Sequence, residues 1–156
     1  MRQMMAPELV NYAMAAVLIA AMLIELRTGR IPNWIAATPL LLFVVLAFIT
    51  PDRTALYWQI GLAVAVFVGG LALFAVGGMG AGAVKLLGGT VLFVPLSKAF
   101  FTFLAFLAYF FICAFVVIQI RKLAGSEDSK WHVMAKQVIP LSLPIGLAGL
   151  TALFYL

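Results

Sequence analysis

Two polar islands in a chain otherwise built of apolar runs hold the groups that could do chemistry. The first, Glu25-Leu26-Arg27-Thr28-Gly29-Arg30-Ile31-Pro32-Asn33, sets a carboxylate beside two guanidiniums and a carboxamide. The second, Gly77-Gly78-Met79-Gly80-Ala81-Gly82-Ala83-Val84-Lys85, is a glycine-rich turn ending in a lysine. A carboxylate at the end of an apolar helix is a candidate to take or give a proton. Charged groups beside a bilayer core are costly, so they are kept where they meet water, a partner or a reaction. The glycine run has two plainer readings. Small residues let membrane helices pack closely, and a glycine turn before lysine suits phosphate. Here, however, Lys85 is followed by Leu86 and no G-x-x-x-x-G-K pattern closes, which argues against a nucleotide. For Arg27 and Arg30 the plain role is to set topology and meet lipid headgroups; the functional one is to orient the acid position, together with Lys85.

The elements that must position these islands follow from composition. Of 156 residues, 66% are hydrophobic and 10% charged, which excludes an ordinary soluble domain. A spanning helix takes about 20 apolar residues, so the chain allows about five or six spans with short loops. Every backbone amide in lipid must be paired, and the apolar runs lack the alternation of barrel strands, so the fold expected is an all-α membrane protein, a bundle of about six transmembrane helices forming one domain over 1–156. The expected spans are Leu9 to Ile24, Trp34 to Ile49, Tyr57 to Val76, a short stretch from Ala83 to Val94 that fits a half-span, Phe100 to Ile120, and Val138 to Leu156. Pro32 is expected to start the second helix and Pro140 and Pro144 to kink the last one near its start. Tyr57 and Trp58 read as interfacial anchors, and the phenylalanines Phe100, Phe101, Phe103, Phe106, Phe110 and Phe111 as packing and lipid contact.

Charge and cysteine content narrow the function. The net charge of +5 comes with no basic cluster interleaved with aromatics, so nucleic acid is not an expected partner. With six spans, Arg27, Arg30, Lys85, Arg121, Lys122, Lys130 and Lys136 fall on one side and Arg2, Arg53 and Lys98 on the other. The positive-inside rule then puts both islands in the cytoplasm and the N-terminus outside. One cysteine, Cys113, and one histidine, His132, exclude an internal disulfide and a thiolate or imidazole metal cage, and no cofactor is expected.

With the islands on one membrane face, the residues resemble the type IV prepilin peptidases, membrane aspartic endopeptidases, and within them the short Tad/Flp-pilus type. In that family an Asp ends the first span and opens a pattern like D-L-R-x-x-x-I-P-N, and a second Asp closes G-x-G-D at the head of the fourth span. The resemblance assigns Glu25 and Ala83 to the two catalytic positions, and Arg27, Pro32, Asn33, Gly80, Gly82 and Lys85 to the surrounding motifs that bind substrate. It implies a pilin precursor as partner, cut at the cytoplasmic face of the bacterial inner membrane just before its hydrophobic segment. It also implies no metal. The N-methylation carried out by larger members is not expected, since they carry a cysteine-bearing segment and this chain has one cysteine.

Both acid positions depart from the pattern. Glu25 is one methylene longer than Asp, and Ala83 carries no titratable group. Aspartic proteolysis needs two carboxylates sharing a proton, one activating water and one donating to the scissile carbonyl. Loss by drift or a deliberate inactivating change would leave the same residue at 83. Among other acids, Glu8 and Asp52 are expected on the opposite side, and Glu127 and Asp128 in a solvated turn. The expected function is therefore a prepilin-peptidase-type protein, inactive or weakened as written. A pseudoenzyme that binds pilin or an assembly protein is the alternative, and a small channel or transporter stands behind both. Lys85, two residues past Ala83, is expected to bring its ammonium toward Glu25.

Overall fold

Hydrocarbon offers no water to pair a backbone N–H, so an apolar chain of this kind closes its hydrogen bonds within helices. In the computed structural model, which describes residues 2–51, 53–124 and 139–156, the described residues form six helices. These are α1 (Arg2–Thr28), α2 (Asn33–Ile49), α3 (Arg53–Ala75), α4 (Ala81–Val91), α5 (Leu96–Ala124) and α6 (Ser142–Phe154). The helical bundle read from composition is borne out. Long and short helices alternate: α1, α3 and α5 contain apolar segments long enough to cross a membrane, whereas α2, α4 and α6 are shorter apolar helices. The fourth helix is the shortest of the six.

The helix ends follow local chemistry. The first helix continues one turn past Ile24, so Glu25 is helical and not part of a loop. Gly29, at φ 68°, takes the left-handed conformation after the last turn, and its N–H donates to the Glu25 carbonyl at 2.7 Å. The Thr28 hydroxyl donates to the Ile24 carbonyl at 2.8 Å. At the end of α3, Gly77 (φ 77°) and Gly78 return their N–H groups to the carbonyls of Phe74 and Leu73, the paired pattern that a left-handed glycine permits.

Pro32 starts the second helix as expected, whereas the kinks expected at Pro140 and Pro144 are corrected. Pro32 is the N-cap of α2, just outside the helix, with its carbonyl accepting from the Ala36 N–H at 3.0 Å. Pro140 lies before α6, and Pro144 sits in its first turn, where an N–H would have no partner within the helix. Neither interrupts a hydrogen bond there, so α6 runs from Ser142 without the kink. The last helix thus starts later than Val138, which itself lies outside the described residues.

Side-chain register fixes how the helices run. Asn33 meets Lys85, Pro39 meets Gly89, and Phe43 packs edge-on to Phe93, so α2 and α4 run parallel. The sixth helix is antiparallel to α1, with Gly146 against Met22 and Gly149 against Leu18. It is also antiparallel to α5, through Tyr109 and Thr151, whose oxygens lie 3.0 Å apart. Short α4 is enclosed by α2, α3 and α6 and buries Ala83, Val84, Leu86, Gly88, Gly89 and Thr90.

Glycines set that packing. A methyl carbon at Gly89 would lie 2.8 Å from the Pro39 ring, whereas one at Gly61 would meet nothing within 4 Å. Gly89→Ala is therefore expected to cost about 1–3 kcal/mol by forcing α4 from α2. Gly61→Ala should be neutral or up to about 1 kcal/mol stabilising, through helix propensity alone. Unfolding titrations of the two variants in micelles check the contrast.

Candidate active site

The first polar island is carried by the last turn of α1 and the turn leading into α2; the second is carried by the turn after α3 and the start of α4. Both sit at one end of the bundle, which also receives the start of α6. A carbon placed on Gly82 would lie 2.7 Å from the Ile31 carbonyl oxygen and 2.9 Å from the Ile31 Cβ, so the first turn of α4 rests directly on the loop after α1. Only glycine allows that approach. Three residues on, Lys85 Nζ donates to Asn33 Oδ1 at 2.9 Å. The partner the structure gives Lys85 is thus Asn33, at the exposed rim, in place of the acid toward which the sequence pointed it.

Glu25 lies inside this rim. Its side chain is 9% exposed, and Oε2 accepts the backbone N–H of Ser142 at 2.6 Å. Ser142 opens α6, so the carboxylate occupies a helix N-terminus, where unpaired N–H groups and the helix dipole stabilise negative charge. The bond joins residues 117 apart in sequence. Ser142 is fully buried, and its Oγ has no hydrogen-bond partner among the described residues.

Ala83 is buried at 3% exposure, in one apolar cluster with Ile31, Ala21 and Ile145. Its depth follows from register. Thr90 of α4 touches the position of Gly149 on α6, and both helices start at this end of the bundle. Counting back seven residues from each, about 10 Å of rise, puts Ala83 at the level of Ser142 and hence of the carboxylate that Ser142 holds. The structure therefore brings Glu25, Ile31, Asn33, Gly82, Ala83 and Lys85 to one end. Pro32 caps α2 there, Gly80 caps α4, and Arg27 is exposed in the last turn of α1. Glu8, near the other end of α1, is at the far rim. Asp52, Glu127, Asp128, Trp131 and His132 lie outside the described residues. No group of three or more His, Cys, Asp or Glu residues placed to hold a metal occurs among the described residues.

Sequence reading missed Ser142, Gly146 and Gly149. Their signal was present as small residues repeating along one face of α6, the pattern by which membrane helices approach closely. An uncharged groove of about 440 Å³ also reaches this region. It lies between α3 and α5 and is floored by Leu87, Thr90 and Val91 of α4 and Ile145 and Gly149 of α6. Leu87 is one turn from Ala83, and Ile145 one turn from Ser142.

The Glu25 contact predicts a split between two replacements. Glu25→Gln keeps an acceptor for the Ser142 N–H and should hold the fold. Glu25→Leu strands that buried donor and should lose about 1–3 kcal/mol. Thermal unfolding of both in the same detergent measures the difference.

Among known proteins, a family model described as the type IV leader peptidase family matches residues 12–118, a stretch that runs from α1 into α5 and includes both islands. Neither a curated protein nor a solved structure matches the chain.

Proposed function

This chain belongs to the type IV leader peptidase family, and from that membership we propose that it is a prepilin-peptidase-type membrane protein that seats pilin precursors at the cytoplasmic face of the bacterial inner membrane. In this reading the chain is one membrane domain with its N-terminus outside. Cutting is weak or absent as written. Glu25 and Ala83 stand at the two positions where the family carries catalytic acids, and only the first can move a proton.

The observation that carries the reading is the seating of Gly82 on the Ile31 carbonyl, with Ala83 and Glu25 at one depth. A carboxylate at 83 would stand at the depth of Glu25, beside the start of α6. Two carboxylates there would share a proton, one drawing a proton from water as it attacks the peptide carbonyl while the other protonates the carbonyl oxygen. The alanine methyl can do neither. Arg27, Arg30, Lys85 and Lys122 lie at this rim, against Arg53 and Lys98 at the other, a bias that supports the cytoplasmic placement. The uncharged groove between α3 and α5 supports the substrate class, since it offers an apolar helix a path from lipid toward residue 83.

One observation favours a binder that does not cut at all. Ala83 is sealed among apolar side chains, and the Glu25 carboxylate is already held by Ser142.

Restoring the acid separates the two. Ala83→Asp, alone and combined with Glu25→Asp, is expected to cleave a pilin precursor at least tenfold faster than the parent chain, read by the release of its leader peptide. Precursor that co-purifies with every variant and is cut by none points to the pure binder. Loss of both binding and cleavage would contradict the proposed substrate.

A further inference from the structure

On the other side of α4, α2 and α3 stand apart over Gly88 and Gly89, leaving a groove of about 920 Å³. Its walls are apolar: Leu40, Val44 and Phe48 from α2 and Ile60, Val64 and Phe67 from α3. Phe48 is 81% exposed, so the groove opens outward toward lipid.

Its ends differ from its walls. At the rim of Glu25 the lining includes Lys85 and Asn33, and at the opposite end it includes Arg53. No carboxylate among the described residues lines it. The bond to Asn33 Oδ1 uses one of the three ammonium donors, leaving two more, and the carboxamide nitrogen of Asn33 adds its own. The mouth is therefore a set of donors with net positive charge, at the exposed rim of the bundle, over an apolar trough. The groove between α3 and α5, by comparison, has no charged residue in its lining among the described residues.

From this charge pattern we infer that an anionic phospholipid seats in the groove between α2 and α3, its phosphate on Lys85 and Asn33 and its acyl chains along Leu40, Val44 and Val64. Basic pockets between membrane helices recognise anionic headgroups in this way. The α2 wall from Asn33 to Phe48 is about 22 Å long at 1.5 Å per residue. One leaflet is about half of a 30 Å hydrocarbon core, so a lipid entering at Lys85 stays within the wall and leaves Arg53 to the opposite leaflet. The site has a structural consequence. Asn33 is two residues past Ile31 and Lys85 three past Gly82, so a phosphate bridging them clamps the start of α4 onto the loop at the point where the two islands touch.

The test is binding, independent of proteolysis. The full chain, released from nanodiscs of phosphatidylglycerol or of phosphatidylcholine, is compared by native mass spectrometry and thermal unfolding. Retention of phosphatidylglycerol at least fivefold over phosphatidylcholine, with a higher Tm in the anionic lipid, is expected. Lys85→Gln should abolish that preference and Lys85→Arg restore it. Lys122→Gln, a rim cation outside the groove lining, should leave it intact, and Val64→Trp, which fills the trough, should displace the lipid. Equal retention of both lipids, an unchanged preference in Lys85→Gln, or an equal loss in Lys122→Gln would overturn the assignment. So would release of the lipid by a precursor's apolar peptide, which would make the groove a peptide site.

Discussion

Gly82 approaches the Ile31 carbonyl more closely than any side chain would allow, and this contact holds the two polar segments together. Neither segment could reach the other by charge alone, since their cations repel. What joins them is a backbone approach without a Cβ, aided by the Lys85 to Asn33 bond. Once the start of α4 rests on the turn after α1, the parallel course of α2 and α4 and the depth of Ala83 follow. So does the gap between α2 and α3 that the short helix α4 floors.

The Glu25 carboxylate shows how a membrane bundle tolerates an acid. Burying it among apolar side chains is costly, and the cost is offset by the first N–H of α6 and the dipole behind it. That arrangement couples the end of α1 to α6, which the matched region of residues 12–118 does not include. The acid position therefore depends on a helix beyond that stretch.

Much of this was legible in the sequence, for physical reasons. Composition forces helices, because lipid leaves the backbone no other partner, and Gly29 and Gly77 mark two helix ends through their left-handed conformations. The two islands follow the first and third spans, and the two spans between them return the chain to one face. What could not be read were contacts distant in sequence. The partner of Glu25 is a backbone N–H 117 residues away, and no local pattern reports it. Pro140 and Pro144 looked like kinks because the start of α6 depends on tertiary contacts with α1, which place both prolines where a missing N–H costs nothing. Lys85 was aimed at the acid by sequence proximity to Ala83. Its position on α4 turns it to Asn33 at the rim.

The central claim is that residues 25 and 83 come together at one depth, at the same end of the bundle. Paired cysteines test it most directly: Glu25→Cys with Ala83→Cys in a chain carrying Cys113→Ser, treated in membranes with a short, membrane-permeant bifunctional thiol reagent. The account predicts efficient bridging of 25 to 83 and none between 83 and a cysteine replacing Glu8. Absent bridging at 25 and 83, or bridging of 8 to 83, would contradict it.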